Sequence, residues 1–201
     1  MGVAMTLDAF HKAHENFKGG GTCLEFGVFR GRTFFAQVDE IVNRYKNSSL
    51  IGFDSWQGLP EEAENIWIPD RHSVGNFSCD KSVVVDELKR RNLYTDKRFR
   101  LIDGFYSTSL TKELQSTITD LIFVNIDVDL YISCKEVLEF IQPLLRAGVI
   151  IYFDDWKDPQ DKYIGKWGEH LAWEEFIIKY PKIEYEIVAI NEVNQRYIEI
   201  A

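Results

Sequence analysis

The sequence has few cysteines, no long apolar run and no excess of basic charge. Its three cysteines, Cys23, Cys79 and Cys134, are an odd number without C-x-x-C spacing, which argues against a disulfide framework or a zinc knot. No apolar run approaches the roughly 18 residues that a membrane span requires. Residues 1–10 lack the basic region and hydrophobic block of a signal peptide. We therefore expect a cytoplasmic protein with no membrane partner.

The charge balance is acidic. The formal net charge is -9 at pH 7, and no stripe of Lys and Arg interleaves with aromatic residues, so we expect no nucleic-acid partner. The chain has 201 residues, of which 45% are hydrophobic and 27% charged, an ordinary composition for a globular protein. We expect one domain over residues 1–201.

Apolar runs alternate with helical patterns along the chain, which predicts an α/β fold with a mostly parallel seven-stranded sheet and helices on both faces. The predicted strands lie within residues 23–26, 49–54, 99–106, 120–129, 148–155, 185–190 and 195–200. Too few residues separate the last two strands for a crossover, so these two should form an antiparallel hairpin at the sheet edge. We also expect an N-terminal helix within residues 1–20 and an active-site lid over the long irregular segment 55–78.

The first motif is "LEFGVFRGRT", residues 24–33. Gly27 and Gly31 follow a strand and permit a tight turn into a helix, against which a ligand can lie closely. The motif lacks the G-x-G-x-x-G pattern of dinucleotide sites, and Glu25 suits a ligand with a cationic amino group better than a diphosphate. A purely structural glycine turn is the alternative.

The second motif is "GFDSWQGLP", in which Asp54 ends the second predicted strand. An acid at that point commonly accepts hydrogen bonds from ribose hydroxyls in folds of this topology. The signal therefore favours a nucleoside ligand without identifying it, and a simple loop or cap role for Asp54 is the alternative.

Four aspartates follow two neighbouring predicted strands. Asp127 and Asp129 end one strand, where residues two apart would share a face, and Asp154 and Asp155 end the next. Carboxyl ends of parallel strands meet at one rim, where four unpaired carboxylates would repel one another. Because no cluster of His or Cys accompanies them, these oxygens suit Mg2+, Ca2+ or Mn2+ rather than zinc. Helix caps or acids paired with nearby lysines are the alternative.

These blocks carry a family resemblance. "LEFGVFRGRT", "GFDSWQGLP", "IDVDLY" and "GVIIYFDDW" resemble the corresponding blocks of the macrocin O-methyltransferase family, class I enzymes that methylate sugar hydroxyls of natural products. The resemblance runs from about Cys23 to the C-terminus. It implies a Rossmann-like class I methyltransferase fold, S-adenosyl-L-methionine and Mg2+ (or another hard divalent cation) as cofactors, and a sugar hydroxyl of a small molecule as acceptor. A homodimer is left open.

The resemblance also implies residue roles. Asp127, Asp154 and Asp155 would be metal ligands, and Asp129 the general base. The implied cofactor contacts are Glu25, Gly27, Gly31 and Thr33 at the methionine end, Asp54 and Ser55 at the ribose, Gly104 and Phe105 near the adenine, and Asp127.

Histidines and tryptophans add weaker signals. Relatives place a histidine near the acceptor in the region of His72, which could assist proton transfer or orient a sugar hydroxyl; an exposed loop histidine is the alternative. We expect His170 to face solvent or cap a helix, and His11 and His14 to lie at the surface. The tryptophans expected near the rim are Trp56, Trp67, Trp156 and Trp167.

Three other functions remain in view. A catechol or other aromatic O-methyltransferase would use the same metal chemistry. A nicotinamide-dependent oxidoreductase is disfavoured, because G-x-G-x-x-G is missing and dinucleotide-binding sheets are usually parallel throughout. An adenosylmethionine-binding protein without catalysis is disfavoured by the intact aspartates.

Overall fold

The computed structural model describes residues 2–69, 72–156, 167–190 and 195–201. Helices and strands alternate along the chain. The helices are α1 (Gly2–Asn16), α2 (Arg32–Asn43), α3 (Ser82–Arg90), α4 (Tyr106–Ser109), α5 (Lys112–Ser116), α6 (Tyr131–Ile141) and α7 (Gly168–Lys179), with a 3-10 turn at Gln142–Leu144. The strands are β1 (Thr22–Phe26), β2 (Ser49–Asp54), β3 (Phe99–Asp103), β4 (Leu121–Ile126), β5 (Ile150–Phe153), β6 (Tyr185–Ile190) and β7 (Arg196–Ile200).

The strands form one sheet in the order β3-β2-β1-β4-β5-β7-β6. Strands β1 to β5 pair in parallel, whereas β7 is antiparallel to both β5 and β6. The predicted mostly parallel sheet with a C-terminal antiparallel hairpin is confirmed. The strand order reverses between β1 and β4, and ligand crevices in such sheets form at that point, beyond the carboxyl ends of the strands.

Alternation along the strands separates two apolar layers, one on each face of the sheet. In β1, Leu24 and Phe26 join a core cluster that includes residues of α6 and α7, while Cys23 joins a second cluster with residues of α1 and α2. All three side chains are inaccessible to solvent. Since Glu25 alternates with Leu24 and Phe26, it enters the interior on the side of Cys23.

The strands that precede the aspartates end earlier than expected. β4 ends at Ile126 and β5 at Phe153, so the four acids lie in the loops that follow. Asp129 has a φ of 60°, in the left-handed region. The prediction that Asp127 and Asp129 share one face of an extended strand is therefore wrong, because the chain leaves the extended conformation before Asp129.

The surface position expected for His14 is also wrong. The side chain is only 5% exposed. Its Nδ1 lies 2.8 Å from the carbonyl oxygen of Phe10 and its Nε2 2.9 Å from Ser48 Oγ, and its ring stacks on Tyr45 at 3.8 Å between centroids. Burial lowers the pKa of His14, which favours the neutral ring.

Among the described residues, no helix combines the length and the apolar character needed to cross a membrane.

Candidate active site

A cavity of about 320 Å³ opens at the carboxyl ends of the central strands. It is lined by Gly27, Phe29, Asp54, Gly58, Leu59, Pro60, Phe77, Tyr106, Asp127, Val128, Asp129, Ser133, Asp154 and Asp155. Both predicted acid pairs, the first glycine of the turn and the acid of β2 therefore meet in one space. Glu25, Gly31, Thr33, Ser55, Gly104 and Phe105, which were also predicted to contact a cofactor, are not among these lining residues.

Three carboxylates form a compact cluster at one side of the cavity. Asp127, Asp154 and Asp155 each offer an oxygen, and these oxygens lie within 4.8 Å of one another. The pKa of Asp127 is raised well above its usual value, first by burial and then by the negative charges of Asp154 and Asp155. An all-oxygen donor set with mutual repulsion fits a hard divalent cation such as Mg2+.

Asp154 is oriented by two neighbouring side chains. The hydroxyl of Tyr152 donates a hydrogen bond of 2.6 Å to Asp154 Oδ1, and the amide of Gln195 donates to the same oxygen. Tyr152 belongs to β5 and Gln195 precedes β7, so the antiparallel hairpin helps to fix this carboxylate. The pKa of Tyr152 is raised by burial and by the charge of Asp154, which keeps the phenol a hydrogen-bond donor.

A further carboxylate, which the sequence motifs did not indicate, lies behind the cluster. Glu169, in the first turn of α7, has no solvent exposure. Its Oε1 accepts from the backbone N–H of Val128 at 3.2 Å and its Oε2 from that of Asp155 at 3.1 Å. Burial, followed by the charge of Asp155, raises its pKa well above the usual value. The available signal was an acid near a helix N-terminus, which ordinarily indicates a surface residue that complements the helix dipole.

Asp129 is paired with the histidine of segment 55–78. His72 Nε2 lies 2.9 Å from Asp129 Oδ1, and the His72 side chain is fully buried. Its ring stacks on Trp167, with 5.6 Å between centroids. The exposed-loop alternative for His72 is therefore wrong, and the structure brings His72 next to the residue implied as general base.

The segment 55–78 is fastened to the rest of the fold. The N–H of Leu59 donates to the carbonyl of Asn76 at 2.9 Å, which closes the segment into a loop. Glu62 accepts from the backbone N–H groups of Tyr131 and Ile132 at 2.8 and 2.9 Å, so it caps the N-terminus of α6. Residues 70 and 71 of this segment lie outside the described residues.

The glycine turn rests on a buried acid. Glu25 has no solvent exposure and accepts hydrogen bonds from Thr33 Oγ1, at 2.9 Å, and from the amide of Gln37. Burial raises the pKa of Glu25 to about 8. Gly31, at the N-terminus of α2, has a φ of 79°, as the tight turn requires. Glu25 and Thr33 thus join β1 to α2, whereas Gly27 reaches the cavity.

Asp54 fastens the same turn to β2. Its Oδ2 accepts from the N–H of Phe29 and its Oδ1 from the N–H of Trp56, both at 2.7 Å. Its pKa is raised by burial, against the lowering effect of these hydrogen bonds. Each carboxylate oxygen has a second lone pair for a hydroxyl in the cavity.

The end of β3 carries a further polar group. Asp103 accepts from the indole N–H of Trp56 at 2.9 Å and pairs with the ammonium of Lys81 at 2.6 Å. The backbone N–H of Gly104 donates to the carbonyl of Asp54 at 3.0 Å, and Phe105 precedes α4. These residues surround the ends of β2 and β3, the region implied for an adenine.

The other tryptophans occupy different environments. Trp156 and Trp167 are buried, whereas Trp67 is 42% exposed. His170, in the first turn of α7, is also buried, with its ring 4.7 Å from that of Trp156, so the expectation that it faces solvent is wrong.

Solved structures of methyltransferases share this fold. The structure of the O-methyltransferase NovP superposes with a TM-score of 0.75 at 20% identity, and the match covers 97% of this chain and 78% of the NovP chain. The calicheamicin methyltransferase CalS11 superposes with a TM-score of 0.74 at 22% identity, and the match covers 98% of this chain and 78% of the CalS11 chain. An apo structure of CalS11, described as a TDP-rhamnose 3'-O-methyltransferase, superposes with a TM-score of 0.64 at 20% identity. The match covers 98% of this chain and 79% of that chain. A Bacillus cereus O-methyltransferase in complex with S-adenosylhomocysteine superposes with a TM-score of 0.58 at 15% identity. The match covers 98% of this chain and 80% of that enzyme's chain.

The sequence itself matches one family. No curated protein matches the chain. A family model described as a methyltransferase domain matches residues 24–156, which extend from β1 to just beyond β5 and include Asp129 and the three clustered aspartates. The match covers about two thirds of the chain, and the chain belongs to the methyltransferase domain family.

Proposed function

We propose that the protein transfers a methyl group from S-adenosylmethionine to a hydroxyl of a sugar or sugar-containing small molecule, with Mg2+ or another hard divalent cation as cofactor. The observation that carries the proposal is that three clustered carboxylates, Asp127, Asp154 and Asp155, line one cavity with Asp129 beside the glycine turn. Asp129 is in turn paired with His72.

The cavity offers groups suited to adenosylmethionine. Gly27 lines it without a side chain, and the carboxylate of Asp54 can accept from ribose hydroxyls. The contacts implied for Glu25, Gly31, Thr33, Ser55, Gly104 and Phe105 remain proposals. The similarity to an O-methyltransferase that was solved with S-adenosylhomocysteine supports this cofactor.

Asp127, Asp154 and Asp155 would hold the metal. A cation there would offset their repulsion and acidify an acceptor hydroxyl. The chain's own contribution is to place that hydroxyl in line with the methyl group and to remove its proton, because positioning is the main demand of such a transfer. Asp129 Oδ1 or Oδ2 would take the proton, and His72 would fix the orientation of Asp129.

The sugar acceptor is supported by the similarity to CalS11, described as a TDP-rhamnose methyltransferase. An aromatic acceptor is the second candidate, because the rings of Phe29, Phe77 and Tyr106 line the same cavity. A cytoplasmic location remains a prediction, and a homodimer is left open.

An acceptor panel tests the proposal. Purified protein is supplied with methyl-labelled adenosylmethionine, Mg2+, and either nucleotide-linked sugars or catechols, and label in each product is counted. We expect transfer to a sugar hydroxyl. Transfer to catechols alone would replace the sugar by the aromatic acceptor, and binding of S-adenosylhomocysteine without transfer to any acceptor would favour a non-catalytic binding protein.

A further inference from the structure

Glu169 connects the two loops that carry the clustered aspartates. We define the first acid loop as residues 127–130, after β4, and the second as residues 154–156, after β5. One oxygen of Glu169 accepts from Val128 in the first loop, and the other accepts from Asp155 in the second. A single side chain of α7 thereby ties both loops to one point.

The bonded groups lie next to the cluster. Val128 is the residue after Asp127, and the N–H bonded in the second loop belongs to Asp155 itself. A shift of Glu169 would move both N–H groups. It would thereby change the distances between the carboxylate oxygens of the cluster, which now lie within 4.8 Å of one another. Distances between ligands decide how well a cation is held, because its preferred ligand distances vary little.

Glu169 is itself held firmly. It has no solvent exposure, and its backbone carbonyl lies 3.9 Å from the thiol sulfur of Cys134 in α6. The residue before α7, Trp167, is buried against His72 of segment 55–78. Packing of α7 therefore fixes the point from which the carboxylate reaches the two acid loops.

We propose that Glu169 is a positioning residue that sets the geometry of the Asp127–Asp154–Asp155 cluster and thereby its affinity for a divalent cation. The inference rests on the proposed function, since it requires that the cluster binds a cation. Glu169 does not line the cavity and takes no part in the methyl transfer.

The test compares Mn2+ binding by the full-length wild type, Glu169→Gln and Glu175→Gln, measured from the electron paramagnetic resonance signal of free Mn2+. The amide of Glu169→Gln would keep the length of the side chain but turn an N–H2 group toward one backbone N–H, so one acid loop would lose its acceptor. We expect Mn2+ to bind about 10- to 100-fold more weakly to Glu169→Gln. S-adenosylhomocysteine affinity, measured by calorimetry, should remain within about threefold.

Glu175→Gln is the matched control on the same helix. Glu175 accepts from the Tyr131 hydroxyl and pairs with Lys135, both on α6, and is half-exposed. Its substitution weakens the contact between α6 and α7 but touches neither acid loop, so Mn2+ affinity should stay at the wild-type value. A loss as large as that of Glu169→Gln would assign the effect to helix packing and overturn the proposal.

The remaining outcomes also decide. Unchanged Mn2+ affinity in a folded Glu169→Gln protein, even with a lower melting temperature, would overturn the inference while the proposed metal role stands. If Glu169→Gln does not fold, Glu169→Asp is used, because its shorter side chain should also weaken Mn2+ binding. Unchanged Mn2+ affinity of Glu169→Asp, or failure of both variants to fold, would assign Glu169 to folding alone. A wild type that binds no Mn2+ would overturn the proposed metal role and the inference with it.

Discussion

At the scale of single residues, the role of Asp129 as general base stays a prediction, whereas the backbone conformation expected for it was wrong. The resemblance implied a base, and the structure brings Asp129 into the cavity beside His72. The sequence argument assumed an extended strand, whereas Asp129 has a left-handed φ of 60°. Turn geometry of this kind depends on where α6 begins, which residue types alone do not specify.

Replacement of Asp129 tests its role as the base. Asp129→Asn keeps the shape of the side chain but cannot take a proton, so we expect turnover to fall by about 10²- to 10⁴-fold. Binding of S-adenosylhomocysteine and Mn2+ should persist, because Asp129 is not one of the three clustered ligands. Asp86→Asn, at an exposed position on α3, is the control. Near-wild-type turnover of Asp129→Asn would remove Asp129 as the base.

Glu25 gives a pH-dependent prediction. Its pKa rises from an ordinary value of 4.5 to about 8 on folding, so the folded state holds the proton more strongly than the unfolded state. The stabilisation is complete below pH 4.5 and is lost as pH rises toward 8, by up to ~1.4 kcal/mol for each pH unit. Glu25→Gln has no such proton, so its free energy of unfolding relative to wild type should increase from pH 5 to pH 8.

Urea unfolding of the two proteins at four pH values measures that difference. Since all other titrating groups are shared, their contributions cancel in the comparison. A difference that stays constant with pH would show that Glu25 is ionised in the folded protein and would contradict the account of a neutral acid under the glycine turn.

At the scale of elements, the strands were predictable and their surroundings only in part. Apolar runs identified the described strands, and in β1, β4 and β5 burial on both faces requires such runs. The burial of His14 on α1 was not predictable in the same way. His14 is buried because Phe10 and Ser48 supply hydrogen-bond partners, and Ser48 is 34 residues away in sequence. Glu169 was missed for the same reason, since its partners belong to two distant loops.

The ends of β1 and β4 approach one another so closely that only glycine fits at position 27. A Cβ on Gly27 would overlap the carbonyl oxygen of Asp127, and the φ of 88° is itself unfavourable for other residues. We expect Gly27→Ala to lower the free energy of unfolding by several kcal/mol and to abolish binding of S-adenosylhomocysteine.

Gly75→Ala separates the two causes. Gly75 has a similar φ of 79°, but a Cβ there would meet no atom within 4 Å. This variant should lose only about 1–2 kcal/mol from the strained backbone. Equal losses for the two variants in urea unfolding would mean that φ alone, and not the approach of β1 to β4, requires glycine at position 27.

At the scale of the whole molecule, the order of strands creates the site. The reversal between β1 and β4 opens a crevice, and the loops after β1, β2, β4 and β5 all contribute to the same cavity. Alternating patterns made the mostly parallel sheet and its terminal hairpin predictable, whereas the strand order comes from the structure. The support beneath the cavity was not predictable, because Glu25 was expected to face a ligand and Glu169 looks in the sequence like an ordinary helix acid.

The most direct measurement of the central claim is methyl transfer by the metal-depleted protein. After treatment with EDTA and its removal, the protein should bind S-adenosylhomocysteine but transfer no label from adenosylmethionine to its acceptor. Added Mg2+ should restore transfer in the wild type but not in Asp154→Asn, which lacks one of the clustered carboxylates. Full transfer in the presence of chelator would contradict the account.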